Sequence, residues 1–133
     1  MIIKTPHQHI SANQEKVYNF LMDMNNFKEL LPQDKISEWE ATNETCSVKV
    51  QNTGHLGLKR VASTPHSLVY LDSFGKTPFK FTLNLFIDKI DDNATEVHLI
   101  FDGALNPFMK MMVEKPLTHF FNEFIKKLAA ISF

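Results

Sequence analysis

The stretch N-P-F-M-K-M-M-V-E-K-P-L-T-H-F-F-N-E-F-I-K-K-L-A-A-I-S-F, Asn106 to Phe133, reads as one long helix around which the remainder of the chain must be arranged. Asn106 suits the N-cap, and Pro107 suits the first helical position, where a missing N–H costs nothing. Leu117, Phe120, Phe121, Phe124, Ile125 and Leu128 recur at helical spacing, with Thr118, Asn122, Glu123, Lys126 and Lys127 on the opposite side. The first half of the helix differs. Phe108, Met109, Met111, Met112 and Val113 are apolar on more than one side, and Pro116 removes a backbone hydrogen bond and is expected to kink the axis. The second half therefore reads as a lid on a core, and the first half as an adaptable wall.

Working back from that helix, the chain changes period. From Lys35 to Leu105 it alternates with period two, giving strands at Ile36–Ala41, Cys46–Gln51, His55–Ser63, Leu68–Phe74, Phe79–Ile90 and Thr95–Leu105. Six strands in succession imply a hairpin-linked antiparallel meander. In the fifth, Phe79, Phe81, Leu83, Leu85 and Ile87 alternate with Lys80, Thr82, Asn84 and Asp88, so one face is buried and the other wet. Gly57 and Gly103 inside strands mark a bulge, a bend or a close backbone approach. Before Lys35, Ile2–Ile10 reads as a short strand that Pro6 confines to an edge or a bulge. Ser11 with Gln14 suggests a capping box, followed by Val17, Phe20, Leu21 and Met24 at helical spacing. Asn25 and Asn26 interrupt that helix, and Phe27, Leu30 and Leu31 form a second short piece that Pro32 stops.

Composition narrows the function. The 133 residues fit one domain, and 44% hydrophobic content is enough for a single core at this size. The net charge of -1 and the absence of any basic run leave nothing to neutralise phosphates, so nucleic acid is not an expected partner. The single cysteine, Cys46, excludes an internal disulfide and fits a reducing compartment. No window approaches the length of an apolar membrane span and no targeting pattern opens the chain, so a cytoplasmic location is expected. There is no Gly-x-Ser-x-Gly elbow, no glycine-rich phosphate loop and no His-Glu-x-x-His motif, and neither metal nor cofactor is expected. His7 and His9 could share a strand face, but no third ligand is placed by the sequence.

At this point the chain resembles the START-like superfamily (SRPBCC), which includes the birch pollen allergen, polyketide cyclases/dehydrases and lipid-transfer proteins. The resemblance covers essentially the whole chain. It rests on element order and on phrases similar to those of small bacterial members: Val17-Tyr18-Asn19-Phe20-Leu21 with Asn25-Asn26-Phe27, and Leu105-Asn106-Pro107-Phe108-Met109 entering the last helix. It implies an α+β helix-grip fold, in which a curved seven-stranded antiparallel sheet wraps a long C-terminal helix, with two short helices between strands one and two. It also implies a deep apolar cavity between sheet and helix. It fixes no single function, since members bind lipids, hormones or polyketides, catalyse cyclisations or assist chaperones, and no universal catalytic motif can be carried over.

The residues suggest what would line such a cavity. Phe81, Leu83 and Leu85 and then Val97, Leu99 and Phe101 should face inward, opposite Met112, Pro116, Phe120 and Phe124. Alternatively these side chains fill the space completely. If the hairpin around Pro65 pairs symmetrically, Arg60, Tyr70 and Asp72 also point inward, whereas a shift by one residue dissolves that cluster. Arg60 could then hold a carboxylate or phosphate, with Asp72 orienting it or acting as a base; on the solvent face the two would form only a cross-strand ion pair. His119, near Pro116, is expected either to border the cavity as donor or base or to be solvated. Trp39, between Glu38 and Glu40, is the inward choice in its strand, and Cys46 packs as a small hydrophobe. Three functions stay open: a carrier of a small hydrophobic molecule (lipid, quinone or polyketide-like), a cyclase/dehydrase-type enzyme using Asp72, Tyr70 or His119, or a module that binds a protein partner such as a chaperone.

Overall fold

A computed structural model describes residues 1–133. In chain order it contains β1 (Ile2–Lys4), β2 (Gln8–Ile10), α1 (Gln14–Met22), 3₁₀ turns at Met24–Leu30 and Gln33–Lys35, β3 (Ile36–Ala41), β4 (Thr45–Val50), β5 (Gly54–Thr64), β6 (Leu68–Ser73), β7 (Phe81–Asp91), β8 (Ala94–Gly103) and α2 (Pro107–Ala130). The strands form one antiparallel sheet in the order β1-β8-β7-β6-β5-β4-β3, with β2 also paired to β8. The expected seventh strand is thus two short ones. Pro6 has no N–H to give the ladder, and between Lys4↔Ile100 and Gln8↔Val97 the N-terminal segment uses one residue more than β8 does. Thr5 bridges the break: its Oγ1 accepts from the Leu99 N–H at 2.9 Å.

The helix α2 starts where the sequence places it. Asn106 Oδ1 accepts from the Met109 N–H at 2.8 Å, and Pro107 occupies the first turn. Its buried residues are Val113, Leu117, Phe120, Phe121, Phe124, Ile125 and Leu128, the stripe read from the sequence. Against it lie Leu83, Leu85, Ile87, Val97, Leu99 and Phe101 from the concave face of β7 and β8, all buried. The 3₁₀ turn Met24–Leu30 closes one side, where Phe27 meets Phe124 edge to face at 5.3 Å, and Lys127 Nζ donates to the Leu31 carbonyl at 2.8 Å. Each fully buried Leu or Phe of this set contributes about 2 kcal/mol by removal from water.

Three local expectations are corrected. The cap of α1 is Asn13, whose Oδ1 accepts from Lys16 N–H at 2.9 Å, not Ser11. Gln14 turns away from any capping box and donates to the Ile87 carbonyl at 2.8 Å, tying α1 to β7. Finally, the break after α1 falls at Asp23, whose carboxylate accepts from Asn25 N–H, before the two asparagines.

Two strand irregularities decide which side chains face the helix. In β3 the register passes from Ser37↔Lys49 to Glu40↔Ser47, so Glu38 and Trp39 together oppose one residue, and Glu38 takes a left-handed φ of 53°. This bulge puts Trp39, and with it Ala41, on the half-buried face of Ile36 instead of the exposed face of Ser37. In β5 the register passes from Arg60↔Leu71 to Ala62↔Tyr70, leaving Val61 as the extra residue, 46% exposed.

Gly57 is a close-approach glycine: a Cβ built there would lie 1.9 Å from the Phe74 carbonyl oxygen, which is backbone and cannot swing aside. Gly57→Ala should therefore destabilise the fold by about 3 kcal/mol, read as a lower urea midpoint at unchanged slope. A change within experimental error would mean that β5 and the end of β6 are free to separate. Cys46 offers a second check. Burial pushes its thiol up from 9.0 to about 12. Below pH 9 both folded and unfolded chains keep the proton, and above it only the unfolded chain ionises. Stability should fall as pH rises from 9 toward 12, by up to about 1.4 kcal/mol per unit, and Cys46→Ala should abolish that slope. The native thiol should also resist a thiol reagent at pH 8 and react fully in denaturant.

Candidate functional site

Between the concave face of the sheet and the second half of α2 lies a cavity lined by twelve side chains, all apolar: Phe27, Leu31, Trp39, Cys46, Val48, Leu56, Leu58, Phe81, Leu83, Phe120, Phe121 and Phe124. Its free volume is ≈ 20 Å³, about the room of a single water, and its walls offer that water no polar partner. Such a space stays dry. The aromatic side chains account for the small residue of volume: Phe101 packs on Phe121 at 5.1 Å and Phe120 on Phe121 at 5.5 Å.

Two outer spaces flank Pro116, and one of them reaches the wall of the cavity at Phe120. On one side of α2, Met109, Met112, Val113 and Pro116 face Phe79, Pro78 and the turn between β4 and β5 across an open groove of ≈ 890 Å³. On the other side Lys35, Gln51, Asn52, Lys115, His119 and Phe120 border a smaller recess of ≈ 270 Å³. Val50, Gln51, Asn52 and Pro116 border both spaces, and Phe120 borders both the recess and the apolar cavity. Phe120 is thus the side chain between the polar mouth and the dry interior. The β4–β5 turn is shaped by two left-handed residues, Asn52 at φ 66° and Gly54 at φ 104°. The Gln51 N–H donates to the Lys35 carbonyl at 2.9 Å, fastening that turn to the Gln33–Lys35 segment.

The residues singled out by sequence separate into four groups. Phe81, Leu83 and Phe120 line the cavity. Leu99 and Phe101 face the same way but are packed behind it, with no exposed surface. Met112, Pro116 and His119 are at the mouth, and Met112 is 58% exposed instead of facing Phe81 and Leu83 as expected. Arg60, Tyr70 and Asp72 do not form an inward cluster. The Pro65 hairpin does pair symmetrically at Ala62↔Tyr70, but the extra residue Val61 changes the parity, so Arg60 falls opposite Leu71 on the concave side. Tyr70 and Asp72 face the other way, across from Asn84 and Thr82. Arg60 itself is occupied with structure: its guanidinium donates to the Met22 carbonyl at the end of α1 and to the Asn43 carbonyl at 2.9 Å.

Sequence reasoning missed Phe27, Leu31, Cys46, Val48, Leu56, Leu58 and Phe121 as lining residues. A signal existed for five of them, because Cys46/Val48/Val50 and Leu56/Leu58 alternate and Phe121 belongs to the helical stripe. Of the histidines, His7 lies on the convex face stacked on His98 at 4.0 Å, with Nδ1 against Glu96 Oε1 at 2.5 Å; His98 in turn stacks on Phe86 at 4.6 Å. Desolvation, then the neighbouring His7, lowers the His98 pKa, against the opposing pull of Asp88 and Glu96. That group is on the far side of the sheet from the cavity.

No protein-family model and no curated protein sequence matches this chain. Solved structures do. Norcoclaurine synthase from Thalictrum flavum, in complex with dopamine and hydroxybenzaldehyde, superposes with a TM-score of 0.70 at 10% identity over 98% of this chain and 84% of that one. A START superfamily protein from Mycobacterium smegmatis gives 0.68 at 10% identity, covering 98% of this chain and 99% of that one. The di-domain ARO/CYC BexL gives 0.72 at 10% identity over 98% of this chain and 45% of the larger one. Identities this low speak for architecture alone, and on that evidence the chain has the START-like helix-grip fold.

Proposed function

We propose that the chain binds a small hydrophobic molecule, of the lipid, quinone or polyketide-like kind, in the space between the sheet and α2. The observation that carries this reading is the lining, in which twelve hydrophobic side chains leave the indole N–H of Trp39 and the thiol of Cys46 as the only groups with any polar character. A dry apolar space is favourable ground for an apolar ligand, because entry displaces no ordered water. The free volume of ≈ 20 Å³ does not admit such a molecule as the side chains stand, so binding requires Phe120 to turn away and join the cavity to the mouth. The norcoclaurine synthase complex supports the reading by likeness of fold only.

The cyclase/dehydrase reading loses two of its candidates, since Tyr70 and Asp72 face away from the cavity. His119 alone of the three stands at the mouth. A protein-binding reading has one observation of its own: Phe108 and Met111, on the first turns of α2, are 66% and 77% exposed.

Trp39 is the sole tryptophan and lines the cavity, so its fluorescence reports on the site directly. Titration with a quinone, a polyphenol and a lysolipid should give a saturable change with at least one of them, and Leu83→Phe, which fills the space and leaves Trp39 the only tryptophan, should weaken that binding roughly tenfold or more. A flat response to all three would overturn the proposal. Capture of a folded protein partner by the same flat-responding chain would favour the interaction reading.

A further inference from the structure

The charge at the mouth is one-sided. The groove and the recess around Pro116 are bordered by Lys35, Lys49, Lys115 and His119 and by no carboxylate. That is not what the composition leads one to expect, because acidic residues outnumber lysine and arginine by 15 to 14. Nor are these cations engaged within the protein. The ion pairs of the fold are His7–Glu96, His55–Glu38, Lys89–Asp92, His98–Asp88 and Lys110–Glu114, and none includes Lys35, Lys49 or Lys115. Glu114, next to Lys115 in sequence, is paired with Lys110, one turn back along α2.

The cations also come from separate places. Lys35 ends the 3₁₀ turn before β3, while Lys115 and His119 are four residues apart on α2 and so share one helix face. The backbone bond from Gln51 to Lys35 holds that turn against the β4–β5 loop, whose Gln51 and Asn52 border the same recess. Phe120 stands at its inner end, with the apolar cavity behind. The sequence of surroundings from outside to inside is therefore cationic, amide-lined, aromatic and wholly apolar.

We propose that the molecule this site takes is an amphipathic anion, with a carboxylate or phosphate head held between Lys35, Lys115 and His119 and an apolar remainder that passes Phe120 into the cavity. The inference rests on the binding reading above and adds the class of ligand. A neutral molecule of the same apolar part would leave Lys35 and Lys115 unanswered, and an acid would satisfy both with charge-assisted hydrogen bonds. Head and tail are both needed, since an exposed lysine pair alone holds an anion weakly.

Matched probes test it: decanoate, decyl phosphate and 1-decanol, each followed by Trp39 fluorescence and by calorimetry at low and high salt. At low salt at least one of the two anions should bind roughly tenfold tighter than the alcohol, and only the anions should weaken as salt rises. Which anion is tighter assigns the head as carboxylate or phosphate. In the double variant Lys35→Ala/Lys115→Ala, decanol binding should be unchanged, which verifies that the fold and cavity are intact, while the preference for the anions falls to about threefold or less. Equal binding of alcohol and anions, or a preference that survives the double variant, would overturn the head-group assignment and leave the binding reading standing. If none of these probes binds while a neutral quinone or polyphenol does, the assignment again fails alone. If nothing binds in either experiment, both readings fall.

Discussion

A curved sheet with one dry face cannot stand without a cover, and here the long helix supplies it together with α1 and the Met24–Leu30 turn. The contact between the Leu117–Leu128 stripe of α2 and the concave residues of β7 and β8 is the constraint on which the other features depend. It fixes which face of every strand is inward, and through that face it decides that Leu71 and Val69, not Tyr70 and Asp72, look toward the helix. It also fixes the helix axis, so that the residues preceding Val113 project beyond the core. Pro116 marks the transition. Its ring withholds the N–H that would otherwise engage the Met112 carbonyl, and the residue sits beside both spaces at the mouth. The helix thus has a structural half and a half that borders solvent-filled space, divided at the one position where its own hydrogen bonding is interrupted.

The fold was legible because its two signals are long and periodic. A helical stripe over Leu117–Leu128 and strict alternation over Phe81–Ile87 leave little freedom in where the core lies. Short-range choices were less legible. Asn13 and Ser11 are both competent caps, and the contest was settled by the tertiary bond from Gln14 to Ile87, which no local rule contains. The site was legible on the strands without irregularities and illegible where a bulge intervened. Alternation carries Leu83 and Phe81 correctly, whereas one unpaired residue at Val61 reverses the relation of Arg60 to Tyr70. Bulges depend on local backbone twist and on close approaches such as that at Gly57, and alternation in one sequence does not locate them. The cations at the mouth were equally hidden, since Lys35 and Lys115 lie far apart in the chain and border one recess only through the turn that Gln51 fastens.

Arg60 illustrates how a charged residue on a concave face need not be a binding group. The Met22 carbonyl ends α1 without a helical partner and the Asn43 carbonyl lies in the turn between β3 and β4, and one guanidinium in reach of both ties the two places together with charge-assisted hydrogen bonds. The polar demands of the scaffold are thereby met at its periphery, and the interior is left free of any group that would attract water. This division explains why the cavity lining can be wholly apolar in a chain with 22% charged residues.

The irregularities that close the sheet at its two sides have a consequence for the chain among its neighbours. An open sheet presents unpaired N–H and C=O groups along its outermost strands, and a flat outer strand is a template on which a second molecule can add its own. Here β3 is interrupted by the left-handed Glu38 and carries Glu38 and Glu40 outward, and the opposite side is broken in two at Pro6. Neither border offers a run long enough to extend. The bulge that turns Trp39 toward the apolar cavity is therefore also a guard against edge-to-edge aggregation at high concentration.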